Sequence, residues 1–494
     1  MPMQMRRRDS GGPVCAERDA SIGSGVSAVA PARTGRSAAA RWLTLAAIMA
    51  LGLVARLHGV AVYGAPPQSD AAVYHQLALN ILARNPYSRD GAPPFRPEYQ
   101  RTPGYPAFVA TVYALAGPNP RAVWLVQAFL GTALVPLAWL IARRLGGSVR
   151  LAAVCAALAA LDPMLVQATG LLLREALTAV LVAAAVWLAV VAWQHRQWPR
   201  WALAGATFGV AALVRPEAVV LPVALGAALA YDALRRKGRW AEVGIAALWS
   251  IGLTLAAISP WIWYYHDRFG EWRLGPDQAI GPAQRAAVIY SPTDSAAAYG
   301  RALRRYGIEP AGADPAAVVY GLIGAMRHDR GMTFIAAAES VGTWAGEFGR
   351  RHPGRWMRQA AQDAVNFSLG YSDLAAFVGT APQRRFEALR YRGLLRAGDY
   401  GLLALYLVAR LGVGLIVLAG AAIALVSWVI RPSPALTLPT MLAAVILPTA
   451  LVGSYAVRVR VPLDPLLLVC AVFGWALVIG WVGGVLARAK VRQR

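Results

Sequence analysis

Long apolar segments separated by short polar loops dominate the chain. They have 14 to 29 residues, and an α-helix needs about 20 to cross the hydrocarbon core of a bilayer. The first, residues 42–63, follows a long polar stretch and is interpreted as an uncleaved first span. The pattern predicts an all-α integral membrane protein with a bundle of about 10 (range about 10–13) transmembrane helices. The other candidate spans are residues 123–142, 151–168, 171–193, 201–214, 218–231, 243–263, 402–430, 435–452 and 463–486.

The basic residues of the short loops indicate how the chain crosses the membrane. An N-terminus in the cytoplasm places most of the basic loops on the cytoplasmic side, as the positive-inside rule requires. This arrangement holds only if the apolar run at residues 105–116 does not cross. That run has about 12 residues and is bounded by prolines, so we expect an interfacial or re-entrant helix. The cytoplasmic basic groups are residues 143–144, 195–196, 235–237, 431 and 488–494.

The same topology divides the chain into five parts. The N-terminal stretch is rich in Ser, Gly, Ala and Arg without an apolar period, which is typical of a disordered tail. Long outer segments are translocated regardless of their charge, so the arginines of the long polar segment do not contradict the topology. The predicted parts are a cytoplasmic tail (1–40), an N-terminal transmembrane module (41–263) with an outer loop (64–121), an extracytoplasmic helical segment (264–400), C-terminal transmembrane helices (401–487) and a basic cytoplasmic tail (488–494).

The composition narrows the class of protein. Hydrophobic residues make up 57% of the chain and the mean hydropathy is +0.45, which is more apolar than soluble proteins. The net charge of +24 comes from arginines, most of them at the ends of apolar segments, so topology explains it better than nucleic acid. Lys237 and Lys490 are the two lysines and no GxxxxGK motif occurs, which argues against direct nucleotide hydrolysis. No cluster of His, Asp and Glu has convincing metal-ligand spacing; no cofactor is predicted as required, and a divalent cation is the open alternative.

The polar stretch after the first span carries the first candidate chemistry. Asp70 is expected to begin a short helix that ends near Ala83, which would fix its carboxylate close to the membrane surface as a base; the alternative is a helix N-cap. The Pro-Gly-Tyr-Pro motif at 103–106 predicts a sharp entry into the next helix and holds Arg101 near the lipid headgroups. Its guanidinium can bind two phosphate oxygens in fork geometry, and the alternative is a headgroup anchor.

Further charged motifs lie at the predicted outer ends of spans. Arg174 and Glu175 begin an apolar helix, where an ionisable pair is costly unless it is solvated, paired or used. The alternative for this pair is a simple interface charge, since the helix dipole favours an acid at the N-terminus. Arginines in short outer loops oppose the positive-inside bias and need a functional reason. The arginines in question are Arg215 before Pro216-Glu217, and Arg458 and Arg460 before the last span. Together with Arg101, they indicate a binding site for an anion.

These motifs, in this order, resemble those of the GT-C glycosyltransferases. The nearest branch looks like the bacterial relatives of protein mannosyltransferases and of the aminoarabinose transferase that modifies lipid A, and the resemblance extends over residues 42–486. Asp70 is followed by Ala71, where many relatives have a second acidic residue. The motifs are Asp70 with Tyr74, Arg101-Thr102-Pro103-Gly104-Tyr105-Pro106, Arg174-Glu175-Ala176-Leu177, Val214-Arg215-Pro216-Glu217, Ser259-Pro260-Trp261 and Arg458-Val459-Arg460-Val461-Pro462.

The resemblance implies an inverting enzyme of the bacterial inner membrane. It would move a sugar from a polyprenyl-phosphate donor to an acceptor glycan, lipid or protein on the extracytoplasmic face. Asp70 would be the catalytic base and Glu175 a second catalytic acidic residue. The candidate ligands of the donor phosphate would be Arg101, Arg215, Arg458 and Arg460, with the choice between the last two arginines open, and the substrate loop would include Tyr74, Glu98 and Tyr105.

Two other functions stay open on the sequence. A lipid-linked glycan flippase would carry ionisable groups near the centres of its spans and show paired repeats, whereas the ionisable groups here lie at the outer ends of spans. A glycan polymerase or ligase that uses diphosphate-linked donors would need the same arginines. The expected partners are the lipid-linked donor, membrane lipid and the acceptor, and nucleic acid is not among them.

Overall fold

The computed structural model describes residues 38–492, apart from residues 65, 69, 236–237, 276, 311–314, 370–400, 402–413 and 431–460. The described residues form α-helices and short 3-10 turns, and no strand occurs among them. The first part of the chain contains α1 (Ala38–Tyr63), α2 (Asp70–Leu82), α3 (Gly104–Ala116), α4 (Pro120–Thr132), α5 (Leu134–Arg144), α6 (Val149–Leu161), α7 (Pro163–Thr169), α8 (Glu175–His195), α9 (Trp198–Val214), α10 (Val220–Arg235) and α11 (Trp240–Phe269).

The second part of the chain contains a group of shorter, more polar helices followed by two apolar ones. Three 3-10 turns interrupt the helices, at Pro216–Val219, Pro292–Asp294 and Val461–Leu463. The helices are α12 (Asp277–Ile289), α13 (Ala298–Arg305), α14 (Pro315–Arg330), α15 (Phe334–Arg351), α16 (Pro353–Leu369), α17 (Gly414–Ile430) and α18 (Asp464–Arg492).

Six helical segments in the described ranges are long and apolar enough to cross a membrane, and a seventh results if the bent pair of α6 and α7 counts as one span. These spans confirm the predicted all-α membrane architecture of a multi-pass protein. The predicted span at 201–214 corresponds to α9, whose 17 residues fall short of a full crossing by length alone. The predicted span at 435–452 and the first part of 402–430 lie outside the described residues. The six segments are Ala38–Tyr63, Pro120–Arg144, Glu175–His195, Pro216–Arg235, Trp240–Phe269 and Val461–Val485.

The bend of 46° between α6 and α7 has a local cause. Pro163 has no N–H to continue α6, and the Asp162 side chain accepts hydrogen bonds from the N–H groups of Met164 and Leu165, at 2.9 and 3.0 Å, as the N-cap of α7. The break leaves carbonyl groups at the end of α6 without helical partners. Arg56 of α1, which is fully buried, donates to two of them, those of Ala159 and Ala160, at 3.1 Å each. The side chain of Arg56 therefore faces the protein interior.

The short helix α3 matches the apolar run that was expected not to cross. Its 13 residues span about 20 Å, less than the hydrocarbon core of about 30 Å. It packs against α2, α4 and α9. Tyr74 of α2 and Tyr105, Val109 and Tyr113 of α3 form the buried core between these helices. This packing brings the beginning of α3 close to the end of α9.

Helices α12–α16 form a second helical cluster with its own core, in which Tyr299, Leu322, Val341 and Phe348 are buried. The predicted helical segment at 264–400 overlaps this cluster up to residue 369, and its remainder is not described. A smaller aromatic core of Trp261, Tyr265 and Ile335 joins α11 to α15. That the second helical cluster forms an extracytoplasmic domain stays a prediction.

Candidate active site

Asp70 and Arg101, which were predicted separately as base and phosphate ligand, are in direct contact. The Nη2 atom of Arg101 donates a hydrogen bond to Oδ1 of Asp70 at 2.7 Å. Asp70 is the first residue of α2, and about a third of its side chain is exposed, whereas the side chain of Arg101 is 12% exposed. The guanidinium also lies over the ring of Tyr74, 5.7 Å from its centroid. The carboxylate is thus accessible while the arginine is held by the protein on several sides.

The position of Arg101 follows from the packing of the Pro-Gly-Tyr-Pro motif. A Cβ atom on Gly104 would lie 2.6 Å from the carbonyl carbon of Leu213 and 2.7 Å from the nitrogen of Val214. Only glycine therefore allows the beginning of α3 to approach the backbone at the end of α9. Arg215 follows directly on Val214. The close contact thus brings the chain segments of Arg101 and Arg215 together, although 114 residues separate them in sequence.

Glu98 organises the backbone that leads into Arg101. Its side chain is completely buried, and it forms a two-bond ion pair with Arg89 at 2.7 and 2.8 Å. Its Oε1 atom also accepts hydrogen bonds from the N–H groups of Gln100, at 2.7 Å, and Arg101, at 3.1 Å. Glu98 was predicted to belong to the substrate loop. In the structure Glu98 shapes this loop from inside, and that it contributes to substrate binding stays a prediction.

Glu175 and Arg215 form the buried part of the site. Their side chains are 7% and 5% exposed, and Nη1 of Arg215 lies 3.4 Å from Oε1 of Glu175. Glu217 lies 3.5 Å from Arg215 and 3.6 Å from Arg174. The alternative interpretation of Arg174 and Glu175 as simple charges at the membrane interface is therefore incomplete, because both residues form ion pairs with other residues. The structure brings together four charges that come from the ends of α8 and α9.

Tyr74 lies between these two groups of charges. Burial raises the pKa of its hydroxyl above the ordinary value, although Arg174 and Arg101 act in the opposite direction. Glu175 and Asp70 also act on it electrostatically, so Tyr74 is close to both groups. We call the six surrounding ionic residues the charged network: Asp70, Arg101, Arg174, Glu175, Arg215 and Glu217.

Tyr105 is a core residue of the site. Its ring packs edge-on against that of Tyr74 with centroids 4.9 Å apart, and it is fully buried. Its hydroxyl donates to Oε1 of Gln127 at 2.9 Å, and the Gln127 amide donates in turn to the carbonyl groups of Thr169 and Leu171. Tyr105 was predicted as a substrate-loop residue, but these contacts use its hydroxyl within the protein. Gln127 was missed, although an amide in the middle of an apolar helix is a signal of a buried polar contact.

Aromatic contacts join this loop to the second helical cluster, and no pattern in the sequence predicted them. Tyr99 stacks on Phe334 at the start of α15, with centroids 4.1 Å apart. The Gln100 amide donates to the hydroxyl of Tyr320 in α14 at 2.5 Å. On the other side, the Tyr87 hydroxyl donates to the carbonyl group of Arg101 at 3.0 Å. Tyr87 in turn packs edge-on against Trp261 of α11, so the residues around Arg101 contact both a membrane helix and the second helical cluster.

The arrangement suits the binding of an anion beside a carboxylate. An entering phosphate can replace Asp70 on the fork of Arg101, and this releases the Asp70 carboxylate to accept a proton. Arg458 and Arg460, the other predicted phosphate ligands, lie outside the described residues. Over the part of the chain that the structure describes, no three His, Cys, Asp or Glu residues are placed to hold a metal ion.

Comparisons with known proteins give one family match and several related folds. A family model described as dolichyl-phosphate-mannose-protein mannosyltransferase matches residues 100–264, which include Arg101, Glu175 and Arg215 but not Asp70. A search of curated protein sequences finds no match to this chain.

The fold is similar to that of an oligosaccharyltransferase of known structure. AglB from Archaeoglobus fulgidus, in complex with an inhibitory peptide and a dolichol-phosphate, is 13% identical with a TM-score of 0.52, and the match covers 92% of this chain and 52% of AglB. The apo oligosaccharyltransferase of the same organism is 12% identical, with a TM-score of 0.52 and coverages of 91% and 52%. This chain thus spans about half the length of these relatives. ArnT from Cupriavidus metallidurans bound to undecaprenyl phosphate is 17% identical, with a TM-score of 0.39 and coverages of 84% and 78%.

Proposed function

We propose that this chain is an inverting glycosyltransferase of the GT-C type, because its fold is similar to that of AglB and residues 100–264 match the family model described as dolichyl-phosphate-mannose-protein mannosyltransferase. It moves a sugar from a polyprenyl-phosphate donor to an acceptor on the extracytoplasmic face of a bacterial inner membrane. The observation that carries the proposal is the 2.7 Å contact of Asp70 with Arg101 beside the buried pair of Arg215 and Glu175. The structure of AglB in complex with a dolichol-phosphate supports a lipid-phosphate donor.

In the proposed mechanism, the donor phosphate takes the place of the Asp70 carboxylate on Arg101. Arg215, whose chain segment meets that of Arg101 where Gly104 contacts Leu213 and Val214, adds a second positive charge that stabilises the phosphate as it leaves. The acceptor hydroxyl attacks the anomeric carbon from the face opposite the phosphate, and its proton passes to Asp70. The bond between the anomeric carbon and the phosphate oxygen breaks, and its electron pair remains on the polyprenyl phosphate. Because a lipid phosphate is a good leaving group, no strong general acid is needed.

Glu175 has a supporting role in this mechanism. It lies against Arg215 and shares that arginine with Glu217, so the two carboxylates hold the guanidinium in place from both sides. Three carboxylates and three guanidinium groups make the charged network formally neutral before the donor arrives. The incoming phosphate is then attracted by arginines whose orientation is already set, which avoids reorganisation during the reaction.

The proposal is tested by Asp70→Asn in purified protein supplied with labelled polyprenyl-phosphate sugar. We expect sugar transfer to fall by about 10²–10⁴-fold, as is usual for the loss of a general base, while membrane insertion persists. Asp90→Asn is the matched control, since Asp90 also pairs with an arginine of this loop, Arg96, but that arginine is exposed. Full activity of Asp70→Asn would refute the assignment of the base. Use of diphosphate donors alone, or carrier movement without transfer, would refute the proposed reaction.

A further inference from the structure

A small cavity lies at the end of the membrane bundle where α1 begins. It has a volume of about 190 Å³ and opens to the surface between the start of α1, the end of α5 and the start of α6. Its lining combines two arginines with two tryptophans, Arg41, Trp42, Trp139 and Arg143, together with Ala38 and Val149.

The cavity is far from the charged network. It lies at the first residues of α1, whereas Asp70 follows the last residue of that helix, Tyr63. The 26 residues of α1 span about 39 Å, which exceeds the hydrocarbon core of a bilayer. The cavity therefore lies at the opposite membrane surface and is not the donor site of the proposed reaction.

The electrostatics of the cavity favour an anion. Helices α1, α5 and α6, which surround it, contain no Asp or Glu. Within the described part of the chain, neither Arg41 nor Arg143 forms an ion pair; Arg143 donates one hydrogen bond, to the carbonyl group of Gly147 at 2.6 Å. The N-terminus of α6, capped by Ser148, adds the positive end of its dipole. Two guanidinium groups without a nearby carboxylate attract a phosphate strongly.

The surroundings of the cavity favour a lipid over a dissolved anion. Trp42 is 66% exposed at the beginning of a membrane span, where tryptophan rings typically lie at the level of the lipid headgroups. The exposed face of α1 continues from the cavity into the bilayer with Leu43, Leu51 and Val54, which are 69%, 49% and 63% exposed. A ligand with a phosphate and apolar chains matches this combination of a basic cavity and an apolar face.

We propose that this cavity binds the headgroup of an anionic phospholipid, with its phosphate between Arg41 and Arg143. The acyl chains lie along the exposed apolar face of α1. The site is small compared with ligand pockets of about 300–1,000 Å³, which suits a phosphate and glycerol unit rather than a whole organic ligand. A lipid bound here connects α1 to α5 and α6 at the membrane surface and stabilises their packing.

The test uses the full chain in nanodiscs of phosphatidylcholine with or without phosphatidylglycerol. The readouts are the unfolding temperature and the phosphatidylglycerol that stays bound after transfer into detergent, measured by mass spectrometry. We expect phosphatidylglycerol to raise the unfolding temperature of the wild type. Arg41→Gln with Arg143→Gln should weaken its binding by about 25-fold, since each of the two guanidinium groups that contact the phosphate in the cavity contributes about a 5-fold factor.

Arg150→Gln is the matched control, because Arg150 is exposed at the same end of the bundle but does not line the cavity. It should keep the wild-type response. Arg41→Lys with Arg143→Lys keeps the charges that orient the chain but loses the guanidinium forks, so it should insert normally and bind less lipid. An equal loss in Arg150→Gln, or no preference for phosphatidylglycerol, would overturn the proposal. An equal stabilisation by inorganic phosphate in phosphatidylcholine would overturn the assignment to a lipid.

Discussion

Arg101 is held at its guanidinium and at its backbone by different residues. The carboxylate of Asp70 holds its guanidinium, the ring of Tyr74 lies beneath it, and the carboxylate of Glu98 holds its backbone N–H. A phosphate can replace Asp70 on the guanidinium, whereas Glu98, which accepts from the backbone N–H, is buried. Glu98 therefore fixes the backbone from which the Arg101 side chain extends, and in the proposed mechanism Asp70 occupies the guanidinium until the donor phosphate binds.

Removing the charge of Glu98 should destabilise the protein and displace Arg101. In Glu98→Gln one acceptor oxygen is replaced by an amide donor, so part of the bonding to Arg89 and to two backbone N–H groups is lost. We expect a loss of about 1.5–3 kcal/mol in the free energy of unfolding, the range for hydrogen bonds to charged groups, and a lower kcat. Unfolding in detergent measures the change in the free energy of unfolding, and kinetics over a range of donor concentrations measure the change in kcat.

Arg96→Gln is the control for this substitution. Arg96 also forms an ion pair in the same loop, with Asp90, but 72% of its side chain is exposed. An exposed pair contributes about 0–1 kcal/mol, so both stability and activity should stay close to the wild type. If Glu98→Gln behaved like this control, the organising role of Glu98 would be wrong.

Asp294 gives a prediction for pH. Hydrogen bonds from Arg355, at 2.7 and 2.8 Å, lower the pKa of Asp294 below its ordinary value. In the unfolded chain the Asp294 carboxylate takes up a proton at its higher, ordinary pKa. The stabilisation of the folded protein by this ion pair is therefore complete above the ordinary pKa and is lost as the pH falls through the lowered pKa of the folded state. The unfolding temperature of the wild type should therefore fall more steeply below about pH 4 than that of Arg355→Gln. Parallel pH curves for the two proteins would contradict this.

At the scale of helices, the approach of α3 to α9 decides whether the pair of Asp70 and Arg101 comes near the other four residues of the charged network. Gly104 makes this approach possible, because its Cα lies directly against the backbone of Leu213 and Val214. The other contributions come from helix ends. Arg174 directly precedes α8, Glu175 is its first residue, and Arg215 directly follows α9. These ionic groups therefore lie at helix ends, where they can reach one another.

Gly104→Ala should separate α3 from α9. The added Cβ would meet backbone atoms at 2.6–2.7 Å, and a backbone cannot give way as a flexible side chain does. We expect a loss of about 1–3 kcal/mol in stability, typical of overpacking, together with a marked loss of transfer activity. Gly226→Ala in α10 is the control, since a Cβ there meets nothing within 4 Å. Unfolding and transfer assays on both variants measure the effect. Equal stability and equal activity of Gly104→Ala and Gly226→Ala would show that the close contact of Gly104 with α9 is not needed.

For the whole molecule, the second helical cluster is connected to the site through the loop that carries Arg101. Tyr99 and Gln100 contact α15 and α14, while the next residue is Arg101 itself. Any displacement of the cluster relative to the membrane helices is therefore transmitted to the arginine within one or two residues. This connection gives the second helical cluster a part in positioning Arg101.

Phe334→Ala tests this connection. The stacking with Tyr99 contributes about 0.5–1.5 kcal/mol, so we expect a loss of about 2- to 10-fold in kcat, although Phe334 touches no member of the charged network. Met357→Ala is the control, because Met357 lies in the same cluster with 58% of its surface exposed. Kinetics with labelled donor measure the effect. An unchanged kcat in Phe334→Ala, with an intact fold, would show that the cluster does not position Arg101.

The sequence by itself determined the features that depend on neighbouring residues. The length of apolar runs predicted membrane helices, and the Pro-Gly-Tyr-Pro motif and Asp70 predicted the starts of α3 and α2 closely, because caps and prolines act within one turn. The tertiary structure decided the partners. The pairing of Asp70 with Arg101, the burial of Glu98, the inward turn of Arg56 and the stacking of Tyr99 on Phe334 all depend on how distant helices pack. Ion pairs and ring contacts are short-range, so only the packed fold selects which of many candidate groups meet.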